Sequence, residues 1–354
     1  MPNATWSATV GGNAISNIQD VSIRKGRTNL TENYRTGVLS MSGRRPDLLP
    51  VISIGDVVSV TMTFGAAPGN TATYDFRVSD LSIEYGIVAA QDTWTLTGED
   101  AFGYAGRAAI NFTSNDGSNA LLRAQAVGTS IGVSVSSVVP LPSNTTVSAQ
   151  SLTDANALQI LTNLINTEGG ILDATDDFIA WFPRNWQTAA VSQNFTDDNT
   201  GTFPVKYDRL QFSALADTAV TKVIVEPAGL AAQSSGTGTN VYTVQTYSRT
   251  TTDAADVAAF LAGSLTVTKP QPTEISLLLN DQVNNRALTA LNIGSGINVK
   301  FRGTTYKTLI LGTSITSNPS ATRISYHVVS ADFYEYLVLD DPVFGKLNEN
   351  KLGW

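Results

Sequence analysis

Apolar and polar residues alternate along much of this chain. The alternation is clear over residues 20–24, 37–42, 56–64, 74–83 and 93–97, where Val, Ile, Leu and aromatic residues recur among Ser, Thr and charged ones. A period of two sends one set of side chains to a core and the other to solvent, so each segment predicts a half-buried β-strand, with Gly and Pro marking the turns. Three segments switch to a helical period. The first covers about 118–127. The second is capped at Thr153 or Asp154, carries Leu158, Leu161 and Ile165 on one face and stops at Gly169-Gly170. The third covers about 253–261, with Val257, Phe260 and Leu261 inward. The predicted fold is mainly β with an α+β insert.

The chain also repeats itself. Ile54-Gly55-Asp56-Val57-Val58-Ser59-Val60 resembles Ile293-Gly294-Ser295-Gly296-Ile297-Asn298-Val299. Residues 78–83 align with 310–315, and 94–100 with 326–332, keeping inward and outward parity; 20–23 has a weaker echo in 221–225. Two copies of one β unit is the economical reading. Each offers about six short antiparallel strands, enough to close into a small barrel without exposed edges. The expected layout is a first barrel over 1–103, an α+β middle domain over 104–204 and the start of a second barrel over 205–247. A helix-containing return to the middle domain follows over 248–289, then the rest of the second barrel over 290–338 and a C-terminal arm over 339–354.

Composition narrows the chemistry. At 354 residues the chain suits two or three domains, and 42% hydrophobic with 15% charged residues lies within globular limits. No run of about 18 apolar residues offers a membrane span, and the first residues show no secretory signal. The absence of cysteine removes disulfides, thiol catalysis and cysteine-based zinc sites, and a single histidine, His327, leaves few general bases. Net charge is −8, yet residues 20–50 hold Arg24, Lys25, Arg27, Arg35, Arg44 and Arg45 against Asp20, Glu32 and Asp47, a local +3 that leaves −11 elsewhere. Such a balance opposes tight binding of nucleic acid and is compatible with DNA sliding past.

The candidate catalytic patterns are weak. Gly128-Thr129-Ser130-Ile131-Gly132 matches the nucleophile-elbow spacing, with His327 downstream, but the elbow needs a strand before and a helix after, and here the order is reversed. The acidic pairs Glu99-Asp100, Asp176-Asp177, Asp197-Asp198 and Asp340-Asp341 are adjacent residues that cannot flank a sugar bond; 176–177 and 197–198 sit in turns, where local backbone chemistry favours Asp, and calcium at one loop is left open although no spacing matches the twelve-residue calcium loop. No catalytic, metal or cofactor-binding residue is assigned, and no cofactor is expected. Asn3, Asn29, Asn111, Asn144 and Asn194 begin N-x-T triplets that abundant Thr explains.

The order of two related β units around the segment Ala155 to Phe178, with its Glu168-Gly169-Gly170 corner, resembles the tail hub proteins of long-tailed bacteriophages. The ending Leu339-Asp340-Asp341-Pro342-Val343-Phe344-Gly345-Lys346-Leu347, closing on Leu352-Gly353-Trp354, resembles that of minor tail proteins from phages of actinobacteria. The resemblance implies a helix running into the corner and then a hairpin with strands at 171–173 and 178–182. It also implies a non-enzymatic virion protein at the distal end of the tail, made in the host cytoplasm. Its expected form is a homotrimer whose two barrels per chain make a pseudo-sixfold ring between a distal tail or tube ring and other tail-tip proteins, with DNA passing through the lumen without specific binding. Part of the acidic balance is then expected to face the lumen.

On this reading Arg44, Arg45, Leu48 and Leu49 lie on a projecting loop that meets the next ring or subunit. Phe344, Leu347, Leu352 and Trp354 anchor the C-terminal arm on a neighbour or, as the alternative, on the chain's own second barrel, burial of a Phe or Trp contributing on the order of 1.5–3 kcal/mol each. The competing readings are a distal tail ring protein and, using Trp6, Trp94, Trp181, Trp186 and Trp354, a carbohydrate-binding or cell-wall-degrading tail protein.

Overall fold

The computed structural model describes residues 4–63, 71–138, 145–184, 192–197, 205–213, 220–265, 270–279, 291–331, 336–337 and 351–352. The first unit contains β1 (Thr5–Val10), β2 (Asn13–Ile15), β3 (Ile18–Gly26), β4 (Val38–Arg44), β5 (Val57–Thr63), β6 (Thr71–Glu84) and β7 (Thr93–Glu99). All five alternating segments of the sequence are among them. Their apolar sets fall inward: Val21 and Ile23, Leu39 and Met41, Val58 and Val60, Phe76 and Val78, Trp94 and Leu96 share one core.

The middle region follows with α1 (Ala101–Arg107), β8 (Ala109–Ser114), β9 (Ser118–Asn119), α2 (Ala120–Ser130), β10 (Ser134–Ser137), β11 (Thr146–Val147), β12 (Gln150–Asn156), α3 (Ala157–Glu168), β13 (Ile171–Ala174) and β14 (Phe178–Phe182). The second helix of the sequence reading is α3. Its cap is Asn156, whose side chain accepts the Gln159 N–H, and Gly169 ends it in the left-handed conformation at φ 70°. The hairpin implied by the resemblance is β13 and β14, antiparallel from the Ile171–Phe182 pair onward. Ile160, Leu161, Leu164 and Ile165 pack with Trp181 and α2 in a second core.

Then come β15 (Gln193–Thr196), β16 (Val205–Lys206), β17 (Arg209–Ser213), β18 (Lys222–Pro227), β19 (Gln233–Gly236), β20 (Val241–Thr246), α4 (Thr251–Leu265), β21 (Gln271–Leu278), β22 (Gly296–Phe301), β23 (Thr304–Ser317), β24 (Thr322–Ser330), β25 (Tyr336–Leu337) and β26 (Lys351–Leu352). Strands β15 to β17 and β21 to β24 join β1 to β7 in one 14-stranded sheet.

Within that sheet the first unit has the order β3-β4-β7-β6-β5-β1 and the second β17-β21-β24-β23-β22-β15. The turn before β5 and the turn before β22 coincide bond for bond. Gly55 has φ 92° and Gly294 φ 87°. Gly55 donates to the Val78 carbonyl at 2.8 Å and Gly294 to that of Ile310 at 2.8 Å, and the Asp56 and Ser295 amides close the same turns on Ser53 and Asn292. Each long strand then carries the same bulge, after Val78 in β6 and after Ile310 in β23. The last position differs, because β1 runs antiparallel to β5 and β15 parallel to β22.

Three expectations change. The 94–100 match slips by two: through the bulge, Trp94 corresponds to Ile324 and Leu96 to Tyr326. Parity survives a two-residue slip, which is why the pattern hid it. The echo of 20–23 is not 221–225, since β18 sits in a separate three-stranded sheet with β19 and β20, covered by α4 through Val223, Val225, Val257 and Ala258. The place of β3 is taken by β17. Of the segment 205–247, therefore, only β16 and β17 enter the large sheet, while β21, within 248–289, belongs to it.

No closed barrel forms among the described residues. The free edge of the first unit, β3, instead pairs with β23 of the second. Strand β23 is long enough to hold two partners end to end on one edge, β22 along 304–309 and β3 along 312–317, while β24 lines the other. Two glycines make this seam: a Cβ on Gly26 would stand 2.3 Å from the Leu311 carbonyl oxygen and 2.8 Å from the Gly312 Cα.

Candidate assembly interface

The same geometry leaves an opening in the first unit. Arg77 of β6 pairs with Val57 on one side and Glu99 on the other, so β5 and β7 occupy opposite edges. Beyond Val78, β7 continues along one edge to Glu84, and the edge vacated by β5 has no partner among the described residues. In β23 the corresponding stretch is the one β3 covers. Ile83 corresponds to Ile315, which faces Ile23 across the seam; Ile315 is fully buried and Ile83 is 37% exposed. The strand runs on into exposed Tyr85, Ile87 and Val88, with Ile87 99% exposed.

At the far end of the second unit, β17 is the other unmatched edge, paired only to β21. Counted along the strand, Leu210 and Phe212 stand where Val21 and Ile23 stand in β3. Phe212 packs its ring on Phe301 and Tyr306, with centroids 5.3 Å apart in both cases.

Beside the start of β7 lies the projecting loop of the sequence reading. Arg45 takes a left-handed conformation at φ 63°, starts a single 3-10 turn over Pro46–Leu48 and donates two 3.1 Å hydrogen bonds to the Asp47 carboxylate. That pairing raises the Arg45 pKa and lowers that of Asp47. A non-glycine residue at positive φ is strained, and such positions gather at functional sites. Arg44 and Leu48 are exposed, Leu49 is half-buried against the main core, and the Arg45 amide ties the loop to the Asp92 carbonyl beside Val88. Exposed Leu48 and Val51 on this loop and exposed Ile87 and Val88 after β6 thus lie on two loops joined by that bond.

Of the C-terminal arm, Phe344, Leu347 and Trp354 lie outside the described residues, as does the Asp340-Asp341 pair. Leu352 is described as backbone, pairing parallel with Leu337 in the two strands β25 and β26.

The polar face of the joined sheets is rich in hydroxyls. Across β24, β23, β3, β4 and β7 one row reads Arg323, Thr316, Ser22, Ser40, Thr97, and the next reads Ser325, Ser314, Arg24. Asp20, Asp80, Glu84 and Glu274 interleave with Arg24, Arg44, Arg209 and Arg323 on this face, four carboxylates to four guanidiniums. His327 faces Glu274 across β21 and β24, and burial lowers its pKa while Glu274 opposes that shift.

The other sequence candidates fall into structural roles. Ser130 ends α2 with its hydroxyl donating to the Val127 carbonyl at 2.6 Å, and Gly132 turns the chain at φ 71° into β10. His327 sits in the large sheet on β24. Trp94 and Trp181 are buried, and Trp6 donates to the Ser317 hydroxyl at 2.8 Å; Trp186 lies outside the described residues. Asp100 caps α1 by accepting the Phe102 N–H, and burial raises its pKa to about 8 against the opposing pull of Lys25. Lys25 itself bridges to Asp173 of β13 at 3.2 Å, tying the first unit to the middle region.

Known structures share this fold. A tail protein from Neisseria meningitidis superposes with a TM-score of 0.67 at 12% identity, covering 94% of this chain and 98% of that one. The 43 kDa tail protein of prophage MuSo2 from Shewanella oneidensis gives 0.66 at 12% identity, covering 93% and 99%. The E. coli c3393 protein, a component of the type VI secretion system with structural similarity to the T4 bacteriophage tail proteins gp27 and gp5, gives 0.52 at 7% identity, covering 91% and 76%. No protein-family model matches the chain, and no curated protein matches it in sequence. At these identities the shared property is the fold, that of phage tail proteins and a secretion-system component built like them.

Proposed function

We propose that this chain is a structural, non-enzymatic subunit of a phage-type tail, acting at its distal end as a hub ring through which DNA passes. The observation that carries the reading is the duplicated sheet with one filled and one open seam. Inside the chain β3 lies on the outer half of β23. The equivalent surfaces, β17 and the outer half of β6, are both unpaired among the described residues, and they lie on opposite units.

Pairing β17 of one copy with β6 of the next repeats the internal joint between molecules, with Phe212 opposite Ile83 and Leu210 opposite Tyr85. A contact between two different surfaces generates a ring if the rotation closes. Three chains, the number the resemblance to tail hubs implies, then display six similar units. Such a ring suits a sixfold tube protein on one side and a threefold tip on the other. The chains would meet as a homotrimer bounded by a distal tail or tube ring and other tail-tip proteins.

In this arrangement the polar sheet face lines the bore. On that face hydroxyls and charges of both signs, nearer balance than the acidic lining expected from the sequence, would offer DNA no array of cations to condense on. Trp94 and Trp181 are buried, so neither offers a face on which a sugar could stack. Docking of the arm through Phe344, Leu347, Leu352 and Trp354 belongs to the same proposal; unimpaired incorporation into virions of a chain stopped after Val338 would remove it. The ring is tested by light scattering of the purified 37.5 kDa chain together with cryo-electron microscopy of tails. A threefold collar around an open bore is expected, and a chain that stays monomeric within the particle rejects it.

A further inference from the structure

Beyond Gly26 the chain leaves the large sheet, and Arg27 lines a cavity of about 230 Å3. Three parts of the molecule wall it: the turn carrying Tyr34, the face of α3 with Gln159 and Asn166, and β20 with Tyr242 and Gln245. Arg27 is only 7% exposed. Its guanidinium lies over the Tyr34 ring, 4.2 Å from the centroid. Nη1 reaches the carbonyls of Leu30 and Glu32 at a long 3.4 Å, and the buried Nε has no hydrogen-bond partner. Among the described residues no carboxylate forms an ion pair with it. Glu32, in the same wall, instead accepts the Thr28 N–H at 3.0 Å and pairs with Arg35 at 4.0 Å.

A guanidinium cannot shed its proton, so this group stays charged in a place where charge is poorly solvated. Apart from Glu32 and Val244, the rest of the wall is amide, hydroxyl and phenol, which can donate to an anion and cannot neutralise the arginine. A planar guanidinium fork pairs bidentately with a planar carboxylate; it can pair with phosphate in the same way, and the titration below separates the two.

We propose that this cavity binds a carboxylate, with Arg27 as its charge partner and Gln245 and Asn166 as donors at its rim. The carboxylate comes from a small free diacid or from an acidic side chain of a partner polypeptide. Occupancy would tie the segment after the seam strand β3 to α3 and β20, fastening the flanking region to the sheet. The site stands whether or not the chain forms a ring.

The experiment titrates the full-length chain at constant ionic strength with malonate, with a short Glu-containing peptide and with inorganic phosphate, by calorimetry and thermal melting. Saturable binding of malonate or the peptide, with a raised Tm, is expected, and the tighter of the two identifies the source. Arg27→Met should abolish binding and, by removing an uncompensated buried charge, raise the Tm of the unliganded chain. Gln245→Ala should weaken binding several-fold while leaving that Tm unchanged. Absence of saturable binding by both carboxylates overturns the proposal, as does equal affinity in Arg27→Met, or binding of phosphate alone. Should Arg27→Met fail to fold, unchanged affinity in both Gln245→Ala and Asn166→Ala rejects it.

Discussion

The first and second units share strand order, turn and bulge, yet bury one corresponding residue differently. Ile315 is sealed under β3, whereas Ile83 stands 37% exposed on an edge with nothing beside it among the described residues. Backbone pattern is therefore common to the two units, and what separates them is which edge has been given a partner. A second contrast lies at the opposite end of the ladder. Arg77 faces Glu99 in the first unit where Leu309 faces Val329 in the second, and Asp100 stands where the second has Ser330. The charged version abuts α1 and the middle region; the apolar version joins a small cluster with Ile293 and Phe182.

Mutations can break this comparison in graded steps. The largest effect is expected from Gly26→Val, which forces a side chain into the Leu311 carbonyl at a φ of 76°. A loss of roughly 2–4 kcal/mol in urea unfolding is expected for such a clash. Gly303→Val, at φ 85° but with open space around it, should cost clearly less. Equal losses would mean that the seam contributes nothing beyond backbone strain.

Next, Ile315→Ala should destabilise the free chain by about 2–4 kcal/mol through the cavity it leaves, while Ile83→Ala should cost about 1 kcal/mol or less there. In an assembled ring the two should converge. A persistent gap in assembled particles would sink the idea that β6 is covered. Tyr85→Asp sharpens the test, since it should lower the fraction of oligomer in light scattering and leave the melting of the isolated chain nearly unchanged.

A further effect depends on pH. The folded-state pKa of Asp100 is raised by burial to about 8 from 3.8, so the folded chain retains a proton that the unfolded chain releases. Its contribution is greatest below the unfolded value and falls as pH rises from about 4 towards 8. Denaturation midpoints measured from pH 5 to 8.5 should therefore decline. Asp100→Asn, which can still cap α1, should flatten that decline, and Asp100→Ser, borrowing the residue of the second unit, should do the same. An unchanged slope in both variants would show that other groups set the pH dependence.

Much of this was legible in the sequence because alternation and turn glycines are local signals. Strands β3 to β7, the body of α3 up to Gly169 and the Gly55 and Gly294 turns all follow from residues within a few positions of one another, whereas the α3 cap is Asn156 and not Thr153 or Asp154, which lie in β12. Helix α1 escaped because Ala101–Arg107 is short and carries Gly103 and Gly106. The seam between β3 and β23 escaped for a different reason: its partners lie far apart along the chain, and period-two patterns are silent about which edge meets which. The close approach of Gly26 and Gly312 is the one trace it leaves, and two glycines in a chain holding 28 give no warning. The burial of the Arg27 guanidinium without a carboxylate in ion-pair contact was equally invisible, since it depends on α3 and β20 arriving from elsewhere.

Holding two partners along a single edge of β23 has a kinetic corollary. Because β3 and β23 belong to one polypeptide, their joint closes during folding at an effective concentration set by the tether rather than by the number of molecules in the cell. In a collar of such chains every second joint would be complete before any encounter occurs, and only the alternate ones would respond to dilution. A component needed in few copies per particle could then be assembled reliably from a sparse pool.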